Sequence, residues 1–125
     1  MSETEPHFPE RAPIDAYGNG GFRFADARHK GSLLVVPSGM YAWSPAFIGC
    51  VRTKAFKRVF DEAAQVDFLL FGTGEVRISP AKTLIKAFAK AGIGLEAMDT
   101  GAACRTYNVL LAEQRAVAAA LIAVD

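Results

Sequence analysis

The sequence predicts a single compact α/β domain with a mixed sheet in β/β/α layers, β-hairpins on one side and helices on the other, and a parallel βαβαβ portion at its C-terminal end. Three observations predict it. Short extended pieces separated by Gly, Pro, Asn and Asp turn signals fill the first half, as in a meander of hairpins. Apolar runs then alternate with helical periodicity through the second half, the grammar of parallel strands joined by crossovers. The chain of 125 residues, 51% apolar, suits one core rather than two and needs no disulfide or metal to fold.

The run from Met1 to Pro13 is acidic, carries three prolines and has no apolar stretch, so it resembles neither a signal peptide nor a transit sequence. A disordered tail over residues 1–13 and a domain over 14–125 are expected. From Ile14 to Trp43 the extended pieces are IDAY, FRFAD, SLLVV and MYAW, with Gly18 to Gly21, Arg28 to Gly31 and Pro37 to Gly39 as the turns between them. Phe22 and Phe24 alternate with Arg23, the period-two pattern of a half-buried strand. Ser44 to Val51, broken by Pro45 and Gly49, reads as loop or irregular strand. Phe56, Val59, Phe60 and Ala63 fall at i, i+3, i+4, i+7 and predict a helix over about 53–64.

The second half reads VDFLLF, loop, helix, LEAM, helix, AVAAALIAV. Ser79 is the expected N-cap of the first of these helices, Pro80 its first position, Leu84, Ile85 and Phe88 its buried stripe, and Gly92 its stop. The last helix runs from about Gly101 to Glu113, capped by Asp99 or Thr100, and buries Ala103, Tyr107, Leu110 and Leu111. Ala116 to Val124 fits a continuation of that helix or a buried strand; a strand is expected. The parallel strands are expected to be neighbours with their helices on one face and the hairpins covering the other.

Ligands in open α/β sheets bind beyond the carboxyl ends of the strands. Two such ends carry notable residues, Gly72-Thr73-Gly74 and Asp99-Thr100-Gly101. Both lead into helix starts, where free N–H groups attract anions, and Arg105, Thr106 and Asn108 add donors nearby. A small-anion or nucleotide crevice is one reading; a strand-exit turn with ordinary caps, and Arg105 answering Asp99, is the other. Gly92 to Ala97 matches G-x-G-x-x-G/A but runs from helix into strand, opposite to the dinucleotide fingerprint. His7 in the tail and His29 in a polar turn offer no triad and no metal set, so no catalytic residue, metal or cofactor is assigned, while Glu75, Glu96, Asp99 and Glu113 leave paired-carboxylate chemistry open should the fold bring them together.

Cys50 and Cys104 lack redox or zinc spacing and read as free thiols. Cys104 lies near a helix start, where a thiol is acidified if exposed and inert if buried. Glu96 stands in an apolar strand and, if buried, needs a partner such as Arg105 or Arg115. Lys82, Lys86 and Lys90 form a basic stripe at i, i+4, i+8, either a solvated face or a surface for an acidic protein or an anionic membrane. Tyr41, Trp43 and Phe47 are candidates for a partner-facing aromatic patch, with the core as the alternative. Fourteen Lys and Arg against thirteen Asp and Glu lack the basic excess that nucleic-acid binding needs. No apolar window spans a membrane, so a cytoplasmic protein is expected, peripheral to the inner membrane only through a partner.

The segments GSLLVVPSGMYAW, DFLLFGTG and GIGLEAMDTGAACRTYNVLLAEQRAVAAALI together resemble a family of small bacterial and archaeal α/β proteins whose mitochondrial member is an assembly factor for respiratory complex I, the NADH:ubiquinone oxidoreductase. The resemblance covers about residues 14–124. It implies a mixed sheet with a strand at Ala116 to Ile122, and recurrent positions matching Gly72, Thr73, Gly74, Glu96, Met98, Thr100, Ala103, Thr106, Asn108, Leu110, Glu113 and Arg115. It implies as function a non-enzymatic interaction module in the biogenesis of a membrane complex, with complex subunits, other assembly factors or export components as protein partners. Gln114 departs from the pattern, since relatives often carry Gly there, the residue best suited to a left-handed helix terminus.

Overall fold

A computed structural model describes residues 6–125 of the chain. Among these residues eight strands form two sheets. β1 (Ala16–Gly18), β2 (Gly21–Phe24) and β3 (Ala27–Lys30) make an antiparallel meander in the order β1-β2-β3. β4 (Leu33–Val36), β5 (Gly39–Ala42), β6 (Phe68–Gly72), β7 (Gly94–Met98) and β8 (Val117–Leu121) make a mixed sheet in the order β5-β4-β8-β6-β7. β6 pairs in parallel with both β7 and β8, while β4 pairs antiparallel with β5 and β8. The single α/β domain with a parallel C-terminal portion is therefore as expected.

The hydrophobic code that builds the large sheet is period-two. Leu34, Val36, Leu69, Phe71, Ala118 and Ala120 bury toward one face, and Leu33, Val35, Leu70, Val117, Ala119 and Leu121 toward the other. Both faces are covered, so the central strands are apolar throughout. The first face is packed by α1 (Lys57–Asp61), flanked by 3₁₀ turns at Thr53–Phe56 and Ala63–Gln65, and by α2 (Lys82–Ala91). Trp43, Phe56, Phe71 and Phe88 meet there edge to face with centroids 5.3–6.1 Å apart. The second face is packed by α3 (Thr100–Ala112), through Ala103, Cys104 and Tyr107, and by Phe22 and Phe24 of the small sheet.

Helices on one face only is thus corrected: α3 shares the hairpin side. Strand order is the reason. From β6 the chain steps outward to β7, then back across β6 to β8, and right-handed crossovers that step in opposite directions place their helices on opposite faces.

Four local expectations change as well. Arg28 to Gly31 is largely strand β3, with His29 buried rather than in a polar turn. α2 begins after Ala81, not at Ser79 and Pro80, because Ala81 is still extended and Ser79 Oγ accepts from Arg77 instead of capping. Ile85 is exposed, since the buried stripe centres on Leu84 and Phe88. Glu96 lies exposed on the edge strand β7 and needs no buried partner. Other boundaries stand: Gly92 closes α2 at φ +74°, a conformation that costs an L side chain, and Asp99 caps α3 by accepting from the Ala102 N–H at 2.9 Å.

Of the segment expected as a tail, residues 1–5 lie outside the described residues. Residues 6–13 run along the domain, with His7 N–H donating to the Met40 carbonyl and Met40 N–H to the Phe8 carbonyl. Arg11 donates to the carbonyls of Arg115 and Val117, and the Tyr107 hydroxyl to that of Ala12.

Candidate functional site

The shared direction of β6, β7 and β8 brings their C-terminal ends to one rim, where the Gly72–Gly74 and Asp99–Gly101 segments meet. Thr73 N–H donates to the Met98 carbonyl and Thr100 N–H to the Gly74 carbonyl, each at 2.9 Å. The Thr100 hydroxyl accepts from Gly74 N–H at 3.0 Å and donates to the Ile122 carbonyl at 2.7 Å. The Thr73 hydroxyl donates to the Val76 carbonyl at 2.7 Å and accepts from Ile78 N–H at 3.0 Å. Thr100 is fully buried and Thr73 nearly so. The buried threonine hydroxyls and the backbone groups facing them satisfy one another, as buried groups must, and Thr73 and Gly74 also line an open surface cavity.

The start of α3 is covered. Gly101 lies under Tyr17 of β1, so tightly that a Cβ there would sit 2.5 Å from the Tyr17 hydroxyl. Arg105, expected to answer Asp99, instead donates to that hydroxyl at 2.9 Å. Asn108 brackets the backbone of Ile14. Thr106 lies on another flank, lining a groove beside β7 with Met98 and Leu110. Gly72, Thr73, Gly74, Asp99 and Thr100 therefore come together, while Arg105, Thr106 and Asn108 serve separate contacts.

The candidate aromatic surface divides. Tyr41 and Trp43 are 4% and 7% exposed, Tyr41 with its hydroxyl 2.6 Å from Ser38 Oγ and Trp43 donating from Nε1 to the Ala55 carbonyl at 2.8 Å. They belong to the core. Phe47 is 60% exposed and has neighbours the sequence reading missed, Val76 at 63% and Ile78 at 39%. These three, together with Thr73, Gly74 and Glu75 of the rim, line one surface cavity of about 370 Å³. The available signal was the alternation Val76-Arg77-Ile78 outside any sheet pattern. Lys82, Lys86 and Lys90 are all exposed on α2, as expected of either reading.

Burial governs the titratable groups inside. It pushes the Cys104 thiol up to about 12, with Arg105 working against and Asp99 with it, so this thiol is protonated and inert. Burial raises the Tyr107 hydroxyl likewise. Burial lowers the His29 imidazole from its ordinary 6.5, opposed by its hydrogen bond to the Ser32 carbonyl and reinforced by His7. Among the described residues no three His, Cys, Asp or Glu side chains converge as metal ligands.

Residues 14–122 match the family model described as protein of unknown function (DUF498/DUF598). An uncharacterised protein of Rhodobacter capsulatus is 39% identical over 122 residues, which cover 98% of this chain and 93% of that one. The mouse NADH dehydrogenase [ubiquinone] 1 alpha subcomplex assembly factor 3 is 27% identical over 98% of this chain, and the match spans 66% of its own length. A crystal structure named as an outer membrane protein of Bartonella henselae superposes with a TM-score of 0.92 at 49% identity, covering 95% of this chain and all of that one.

Proposed function

The chain belongs to the DUF498/DUF598 family of proteins of unknown function, and from that premise we propose that it is a non-enzymatic interaction module assisting the biogenesis of a membrane protein complex, the respiratory NADH:ubiquinone oxidoreductase. The observation that carries this reading is the character of the strand-end rim. A small-molecule site holds out polar groups to a ligand. Here the rim's buried hydroxyls and the amides facing them bond one another, and the cavity beside them exposes the apolar cluster of Phe47, Val76 and Ile78. A clustered apolar surface of this kind is what a protein partner covers.

The identity of the complex comes from the similarity to an assembly factor along nearly the whole chain. No helix among the described residues is long and apolar enough to cross a membrane, so in this reading the protein reaches the membrane complex through a protein partner. Deleting the gene and resolving membrane complexes on native gels tests it. The expected result is a loss of assembled NADH:ubiquinone oxidoreductase, restored by the parent chain and not by a Phe47→Ser, Val76→Ser double variant that folds normally. Wild-type levels of the complex in the deletion strain would overturn the reading.

A further inference from the structure

The large sheet has two edge strands, and they are treated differently. At β5 the N-terminal segment supplies cover, Met40 exchanging hydrogen bonds with His7 and Phe8. At β7 no strand among the described residues pairs on the outer side. The ladder to β6 uses Gly94, whose N–H donates to Asp67, and Met98, whose carbonyl accepts from Thr73. Strand alternation then turns the N–H and C=O groups of Leu95 and Ala97 outward. Among the described residues these outward groups are met by one bond, from Arg77 Nε to the Ala97 carbonyl at 3.2 Å. An unpaired edge of this kind is a template for another strand.

Two grooves flank the edge. On the α2 side one of about 360 Å³ is lined by Ile85, Ala89, Ile93 and Leu95, with Arg77 beside them. On the α3 side one of about 410 Å³ is lined by Met98, Thr106 and Leu110. Side chains of an added strand alternate between such grooves. Charge selects the occupant. α2 carries Lys82, Lys86 and Lys90 and no carboxylate, and Arg77 stands at the edge itself, so the α2 side is basic, while Glu96 of β7, which lines both grooves, leaves the α3 side to uncharged side chains. A second copy is disfavoured, because antiparallel pairing of Leu95 with the other chain's Ala97 sets the two Glu96 side chains directly opposite each other.

We propose that the free edge of β7 accepts an extended acidic segment of a partner protein as a sixth strand, its carboxylates facing Arg77 and the α2 lysines. Arg77 then exchanges its bond to Ala97 for a carboxylate of the incoming strand. This deepens the interaction-module reading and rests on it.

The probe is a synthetic eight-residue peptide of alternating Val and Glu, followed by amide hydrogen exchange. The Leu95 and Ala97 amides, fast in the free protein, are expected to become protected on binding. Affinity is expected to fall by about tenfold or more when Lys82, Lys86 and Lys90 are together changed to Glu, and with added salt. Ala97→Pro, which deletes an outward N–H without touching the β6 ladder, is expected to abolish protection of Leu95. Because that variant risks the fold, the same peptide N-methylated at alternate residues serves as a second test and is expected not to bind.

Unprotected Leu95 and Ala97 amides at millimolar peptide would overturn the proposal. So would protection that appears without peptide in a concentration-dependent dimer, or lysine-dependent binding to phosphatidylglycerol vesicles in place of the peptide. A folded Ala97→Pro variant that restores the respiratory complex in the deletion strain would remove this edge as the docking site and leave the assembly role standing.

Discussion

Asn108 grips the backbone of Ile14 with both ends of its amide, Oδ1 accepting from the Ile14 N–H and Nδ2 donating to the Ile14 carbonyl, each at 2.8 Å. The pair reproduces a strand ladder with one side chain, and it ties residues 6–15 to α3 on the hairpin face. Asn108→Ala leaves both backbone groups without partners at a half-buried site, a cost of about 1–3 kcal/mol. The expected outcome is faster trypsin cleavage after Arg11 and faster exchange of the Ile14 amide, with the large sheet intact. Unchanged cleavage kinetics would show that Arg11 and Tyr107 hold the segment unaided.

Thr100 is the keystone of the rim. Thr100→Val conserves shape but leaves the buried Ile122 carbonyl and the half-buried Gly74 amide without their hydroxyl partner. A loss of about 2–4 kcal/mol is expected, read as a lower midpoint in urea with an unchanged slope. A loss below about 0.5 kcal/mol would mean that water reaches these groups.

Gln114 holds φ +60°, the left-handed position that ends α3. Gln114→Gly relieves about 1–2 kcal/mol of backbone strain and gives back about 0.4–1 through the freer unfolded chain. A net gain of about 0.5–1 kcal/mol in chemical denaturation is expected. Destabilisation instead would assign the side chain a packing role.

The two thiols separate cleanly. Cys50 is exposed and Cys104 buried with its thiol raised to about 12. In native protein at pH 8 a disulfide reagent is expected to label Cys50 promptly and Cys104 only as fast as the domain opens. Prompt labelling of both would contradict the packing of α3 on the sheet.

His29 predicts acid sensitivity. Its folded pKa is lowered, so the unfolded chain takes up a proton first as pH falls below 6.5. Its contribution is therefore full above pH 6.5 and shrinks as pH drops from there toward the lower folded value. His29→Gln is expected to flatten that part of the stability profile, measured as Tm between pH 7.5 and 5.

Local chemistry made much of the fold legible. Phe22-Arg23-Phe24 declared a half-buried strand, Gly92 a helix end, Asp99 a cap, and the parallel strand ends at Gly72–Gly74 and Asp99–Thr100 did gather at one rim. β3 was hidden because only His29 of Ala27–Lys30 faces inward, leaving a polar stretch that mimics a turn. The face taken by α3 depends on which strand sits between β7 and β8, a long-range choice that no window of residues contains. The cover over the start of α3 was equally out of reach, since it depends on Tyr17 crossing from the other sheet onto Gly101. Tyr41 and Trp43 pointed inward for the same kind of reason, finding hydrogen-bond partners at Ser38 and Ala55.

β8 lies between β4 and β6, yet it follows all seven other strands in the chain. During synthesis the β4–β5 hairpin and the β6–β7 unit therefore emerge from the ribosome with their inner edges open, and neither can close until the alanine-rich segment arrives to bridge them. Strand order makes that late insertion the step expected to limit folding, and until it happens both inner edges stay open to pairing with other strands.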